Sequence, residues 1–175
     1  MTVKELACKR ESCRAYDGRT VSYELLQDIM ETACLAPSAC NSQPWRMIGV
    51  YGEHTEALAQ MIKKSGRNNF VDKAGAFVVI CETQATLKPG VCTDEQYFAK
   101  MDLGMATMLL TLAATEKGLS TCILGCFDEE AVRSVLQIPA SIPIRLIVAV
   151  GYAEQPGVRE KIRKPAEETR CFQTW

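Results

Sequence analysis

Histidine is almost missing from this chain: His54 is the single one in 175 residues. That scarcity removes most Ser-His and Cys-His catalytic arrangements, because each needs an imidazole beside its nucleophile. His54 falls at the start of an expected helix, where surface or capping duty is its ordinary role. The chain also lacks a Gly-x-x-x-x-Gly-Lys-[Ser/Thr] loop, a Gly-x-Gly-x-x-Gly fingerprint and a Gly-x-Ser-x-Gly elbow. Charge of one sign is scarce too. A net charge of -1 gives no reason to expect a nucleic acid or an anionic membrane as partner. The most apolar uncharged run, Leu103 to Thr115, falls well short of the roughly 20 residues that a membrane-spanning helix needs. Met1-Thr2-Val3-Lys4-Glu5 lacks the charged-then-apolar pattern of a signal peptide, so a cytoplasmic location is expected.

Cysteine is the exception to this austerity, with nine residues. None are spaced Cys-x-x-Cys, which leaves out zinc-ribbon and ferredoxin patterns, and no metal site is expected. In a chain able to form a full core, reduced and mostly buried thiols are the ordinary reading.

The length suits one domain over residues 1–175, with no internal repeat or linker. Thr2 and Glu5 form a capping box opening a short helix to about Arg10. Ser22 caps a second helix, which Pro37 ends. Trp45 to Tyr51 reads as a strand closed by Gly52, and Glu53 to Lys64 as a helix. Ala76–Cys81 and Ile144–Val150 are continuous apolar runs, as expected of central strands covered on both faces. Between them, a long helix is expected from about Asp94 to Lys117. Its all-round apolarity implies burial in a core or in a subunit interface. Asp128 caps a short helix to about Leu136. From Tyr152 the chain turns polar and proline-punctuated, yet it carries Phe172 and Trp175, which need somewhere to bury.

Two polar segments carry the chemistry. Arg10-Glu11-Ser12-Cys13-Arg14 places two guanidiniums and a hydroxyl together, a donor set that suits phosphate oxygens. Two arginines can equally well solvate a helix end. A second cationic group, Lys161-Ile162-Arg163-Lys164, could reach the same phosphate if the tail folds back. The other segment, Pro37-Ser38-Ala39-Cys40-Asn41-Ser42-Gln43-Pro44-Trp45, is a proline-bracketed turn with a hydroxyl and two amides. It suits a flat heterocycle with hydrogen-bonding edges, although such residues are also common loop chemistry.

In this order and spacing, the two segments resemble the nitroreductase family of flavoproteins, as does the tail Arg163-Lys164-Pro165-Ala166-Glu167-Glu168. The resemblance covers essentially the whole chain. It implies an α+β fold, an α/β/α sandwich around a mostly antiparallel sheet, built as an intertwined homodimer whose 152–175 tail wraps the partner. It implies FMN as cofactor, NADH or NADPH as hydride donor, and a small electron-poor acceptor such as a nitroaromatic or quinone. Arg10, Glu11 (through its backbone), Ser12 and Arg14, with Arg163 or Lys164, would hold the phosphate. Pro37, Ser38, Ala39, Asn41 and Gln43 would contact the flavin of the other subunit. Asn69 or its neighbour Asn68 would meet the ribityl chain or ring edge, and Leu124 and Gly125 would line the ring. No side chain is then required as a catalytic acid or base, because the cofactor carries the chemistry.

Three departures stand out. Ala39 replaces a serine of the family's turn, and Glu11 puts a carboxylate beside the phosphate site. The short stretch before the long helix leaves Thr83 to Cys92 to rebuild what covers the active site in larger members. A dehalogenase, a flavin-fragmenting enzyme, a heterocycle oxidase or a non-catalytic flavin-storage or thiol-rich redox protein remain alternatives within the resemblance.

Overall fold

The computed structural model describes residues 1–155 and 157–174; Pro156 and Trp175 lie outside the described residues. Four strands form one antiparallel sheet in the order β1-β2-β4-β3. They are β1 (Trp45–Tyr51), β2 (Ala76–Glu82), β3 (Ser120–Leu124) and β4 (Ile144–Gly151). The two runs expected to be central are central: β2 is buried along its whole length, and β4 lies between β2 and β3.

Because side chains alternate across a pleated strand, β2 and β4 feed two separate cores. Phe77, Val79, Ile147 and Ala149 pack with Leu58 and Ile62 of α3 (His54–Lys63) and Val132 of α5 (Glu129–Leu136). Ala76, Val78, Ile80, Val148 and Val150 face Leu26 and Ile29 of α2 (Tyr23–Ala33) and Leu103, Ala106 and Leu110 of α4 (Ala99–Glu116). The result is the three-layer α/β/α sandwich that was expected. α1 (Val3–Lys9) opens on the Thr2–Glu5 capping box, and Ser22 and Asp128 cap α2 and α5 through their side chains. A four-residue helix, α6 (Ala166–Thr169), lies in the tail.

The structure corrects the sequence reading in several places. Residues 120–124, to which the sequence pattern assigns no element, are a strand held by pairing to β4. α4 begins at Ala99, five residues later than expected. The Gln96 side chain is drawn sideways, accepting from the Ala85 amide and donating to Glu82 Oε1 at 2.8 Å and to the Thr83 carbonyl. That tie holds residues 94–98 in turns instead of helix. Only one side of α4 is covered within the chain; Met101, Met105 and Met108 are 54%, 39% and 42% exposed. Among the cysteines, Cys13, Cys81 and Cys122 are buried, but Cys8, Cys34, Cys40, Cys126 and Cys171 are exposed, so the thiols are not mostly buried. They lie on helix exteriors, in turns and in the tail rather than on the sheet. No helix is long and apolar enough to cross a membrane among the described residues.

Candidate functional site

The Arg10–Arg14 segment is strung along the outer edge of β3. Ser12 forms a parallel bridge to Thr121, and the Cys13 amide donates to the Thr121 carbonyl at 2.9 Å. Tyr16, almost fully buried, donates its hydroxyl to the Ala149 carbonyl at 3.2 Å and bridges Ala153. A Cβ on Gly151 would stand 2.8 Å from the Tyr16 ring, so the absence of a side chain there admits the tyrosine. Residues 12–16 are thereby fixed to the sheet, and the flanking side chains project from a rigid edge.

Those side chains converge. Burial pushes the Cys122 thiol up, while Arg14, a hydrogen bond from Ser12 and Arg10 oppose the shift, so all three lie near the same stretch of β3. The tail then folds back onto this edge. Lys161 Nζ donates to the Arg10 carbonyl at 2.7 Å. Arg159 donates from its Nε to Glu11 Oε2 at 3.2 Å and from its guanidinium terminus to the Ser12 carbonyl. Burial, then repulsion from Arg10, Arg163 and Arg159, pushes the Lys161 ammonium below the usual lysine value, with Glu11 opposing. Arg163 follows two residues on, its guanidinium donating to the Ile162 carbonyl at 2.7 Å. Lys164, just before α6, pairs with Glu168 of that helix at 3.5 Å. A cleft of about 410 Å³ opens between Ser12, Arg14, Ala153 and Arg159.

The Glu11 carboxylate is taken up by the tail: it accepts from both the amide and Nε of Arg159. Burial raises its pKa, yet Arg159, and more weakly Lys161, hold the carboxyl below the usual value. Arg159 was not singled out from sequence, and Lys161 was passed over in favour of its neighbours. The signal for both was a period of two. Arg159, Lys161 and Arg163 alternate along a non-helical segment, as residues on one side of an extended chain do.

The phosphate fit rests on donors that no protein group takes. Among the described residues, the Arg10 guanidinium makes no hydrogen bond or ion pair, and Arg14 makes one long contact of 3.5 Å to the Ser12 carbonyl. Such cationic forks gathered at one edge match the bidentate geometry of phosphate oxygens. A phosphate-bearing cofactor fits the residues present.

At the end of this edge, Leu124 is buried and Gly125 follows it, its Cβ position reaching only Leu146 at 4.0 Å. Asn68, with φ of 58°, donates from its side chain to the Cys126 carbonyl at 2.7 Å and ties the 66–69 loop to the 125–127 loop. Asn69 stands beside it, exposed.

The Pro37–Gln43 turn is built differently. Cys40, Asn41 and Gln43 all have positive φ, of 53°, 54° and 48°, a region few residues without glycine's freedom adopt. The turn is over-determined from outside. The Ala39 amide donates to Asp102 on α4 at 3.2 Å, the Gln43 amide to Ser38 Oγ, and the Thr86 amide to Ser42 Oγ at 2.7 Å. The Lys88 amide reaches Cys40 Sγ. Residues 83–88 thus brace the turn from behind, while Pro37, Asn41 and Gln43 stay exposed.

The two segments do not meet. Thr121, beside Ser12, is level with Val150, Ala76 and Tyr51 through the sheet register. The turn precedes Trp45, at the other end of β1 on the opposite edge of the sheet. Strand spacings of ~4.8 Å and a rise of ~3.3 Å per residue put them roughly 25–30 Å apart, at diagonal corners. One mononucleotide does not bridge that span within a single chain.

Comparison with known proteins places this arrangement. Residues 7–69 and 50–152 match the profile of the nitroreductase family. A Thermus thermophilus protein named an NADH dehydrogenase is 30% identical over 185 residues, spanning 90% of this chain and 89% of that one. An oxygen-insensitive NADPH nitroreductase of Helicobacter acinonychis is 29% identical over 200 residues, spanning 93% and 92%. A solved oxidoreductase containing FMN shares the fold at a TM-score of 0.84, with 23% identity over 100% of this chain and 93% of that one. The chain belongs to the nitroreductase family. It is an enzyme of the oxidoreductase class.

Proposed function

We propose that this protein is a homodimeric, FMN-dependent oxidoreductase that takes hydride from NADH or NADPH and reduces a small electron-poor acceptor, such as a nitroaromatic or quinone, by a ping-pong route. The observation that carries this reading is the pair of unspent guanidiniums at the β3 edge, Arg10 and Arg14, onto which the tail folds back through Lys161. The names of the Thermus and Helicobacter relatives support a nicotinamide donor, and the FMN-containing neighbour supports the flavin.

Bound FMN would supply a ring nitrogen that accepts and returns hydride. The chain's own residues do the rest. Arg10, Ser12, Arg14, Lys161 and Arg163 would hold the phosphate and so set the position of the ring along β3. Leu124 and Gly125 would give it a flat, side-chain-poor wall. Ser38, Asn41 and Gln43 would come from the other subunit to its polar edge, with Ala39 offering only backbone. The diagonal separation of cradle and turn supports a site shared between chains. So does the exposed apolar ridge Met101–Met105–Met108 on α4, together with Ile162 and Phe172, which are 88% and 86% exposed in the tail. Obligate homodimer interfaces are apolar and core-like, which suits these surfaces.

Purified protein is expected to be yellow and to release FMN on denaturation. Anaerobic addition of NADH or NADPH is expected to bleach the flavin band, and a nitroaromatic or quinone to restore it. A flavin that neither donor bleaches would overturn the reading.

A further inference from the structure

Glu11 sits where an anion would be least expected, beside a site gathered for a phosphate. Its contacts give it a different task. Oε2 accepts from the backbone amide of Arg159 and from its Nε, both at 3.2 Å, and the same guanidinium spans to the Ser12 carbonyl at 3.3 Å. The carboxylate is only 24% exposed, against 68% for Arg159, so the acid is the sheltered partner. Two residues on, Lys161 reaches the Arg10 carbonyl. The tail therefore meets the N-terminal segment at two successive points, and the first is the Glu11–Arg159 clasp.

The electrostatics show why a clasp is needed. Burial chiefly disfavours the charge on Lys161, and Arg10, Arg163 and Arg159 add to it, while Glu11 is the anion that acts in the opposite direction. Without a phosphate, nothing else among these residues offsets the crowding. Binding costs less when the groups that grip a ligand are already ordered.

We propose that Glu11 is a positioning residue that pins the tail through Arg159, holding Lys161 and Arg163 at the phosphate end of the cofactor site before the cofactor arrives. This rests on the reading of the β3 edge as an FMN phosphate cradle. Arg159 is then a strut with its donors taken by protein, and Lys161 and Arg163 are the tail's phosphate ligands.

The test compares FMN with riboflavin, which shares the ring but lacks the phosphate. Apoprotein is titrated with each, following quenching of flavin fluorescence. Wild type is expected to bind FMN far more tightly than riboflavin. Glu11→Gln and Arg159→Gln should each weaken FMN about tenfold, as loss of a charge-assisted contact does. Riboflavin affinity should not change, and the double variant should be no worse than either single one. Exchanging the charges (Glu11→Arg with Arg159→Glu) should recover part of the loss. An FMN affinity for Glu11→Gln within twofold of wild type overturns the clasp and leaves the cradle standing. Equal losses for FMN and riboflavin also overturn it, since they would mark a general structural role. If wild type itself does not prefer FMN to riboflavin, the phosphate cradle fails, and the clasp with it.

Discussion

The β3 edge and the Pro37–Gln43 turn solve the problem of presenting polar groups in opposite ways. At the β3 edge the backbone is ordinary and the side chains are unspent: the Arg10 guanidinium has no hydrogen-bond or ion-pair partner among the described residues, and the tail brings a further cation, Lys161, to its carbonyl. In the turn the side chains are modest and the backbone is special, with three positive-φ residues locked by Asp102, Ser38 and residues 86–88. A cluster of long cations recognises charge and tolerates small errors of position. A braced turn recognises a shape and an edge, and tolerates none. On the proposed function, that difference would give the phosphate to one region and the ring to the other.

The largest expected effect breaks the comparison on the phosphate side. Arg14→Ala should weaken FMN binding on the order of 100-fold, since charge-assisted hydrogen bonds contribute about 1.5–3 kcal/mol each. It should leave riboflavin affinity unchanged. The corresponding change in the turn, Asn41→Gly with Gln43→Gly, keeps the positive φ values while removing the amides. It should weaken FMN and riboflavin alike, by about tenfold for the hydrogen bonds lost. If the two variants show the same FMN-to-riboflavin ratio, the division of labour is wrong.

A second experiment asks whether the regions serve the same chain. Co-expressed Arg14→Ala and Asn41→Gly/Gln43→Gly subunits each lack one half-site. If cradle and turn of different chains form each site, a mixed dimer carries one intact site and one doubly damaged site. Flavin content of mixed dimers isolated by affinity separation should therefore show roughly half of their sites retaining FMN at wild-type affinity. If the sites lie within single chains, none should.

How far this contrast could be read in advance follows from which interactions are local. Thr2, Ser22 and Asp128 cap their helices through groups three residues away, and the apolar runs of β2 and β4 announce burial on both faces. β3 gave no such notice. Ser120-Thr121-Cys122-Ile123-Leu124 is short and half polar, and it becomes a strand because β4 and Ser12 flank it. The start of α4 was misplaced because Gln96 is recruited by Glu82 and Ala85, partners more than ten residues distant. In the site, Arg10, Ser12 and Arg14 were legible as a cluster because they are contiguous. Arg159 and Lys161 were not, because only the return of the tail over residues 10–12 decides which cations of an alternating run face inward. The strain at Cys40, Asn41 and Gln43 was equally hidden, since it is imposed by neighbours from 86–88 and α4.

A third prediction separates the turn's rigidity from its chemistry. Asp102 is 3% exposed and accepts the Ala39 amide. Asp102→Ala removes that acceptor and should destabilise the fold by about 1–3 kcal/mol, the cost of leaving a donor unsatisfied. For a chain of this size that corresponds to a fall in Tm of roughly 3–10 °C. Riboflavin affinity should fall with it, because the turn loses its brace, while the selectivity for FMN over riboflavin should persist. A loss of that selectivity would mean that α4 orders the cradle as well.

The smallest expected effect is the pH dependence of the clasp. Glu11 is held below its usual value near 4.5 by Arg159, outweighing the opposing effect of burial. A carboxyl whose folded pKa is depressed contributes stability that is present above the unfolded value and is lost as pH falls through the folded one. Wild type should therefore melt slightly higher than Glu11→Gln at every pH above about 4.5, by the few tenths to ~1 kcal/mol typical of partly exposed pairs. The difference should shrink towards zero below that pH. High salt should shrink it as well, because the Arg159 side of the pair is open to solvent. A difference that is flat through pH 3–6 would show that Glu11 acts by shape rather than charge, and the clasp would then give no reason for an anion at the phosphate edge.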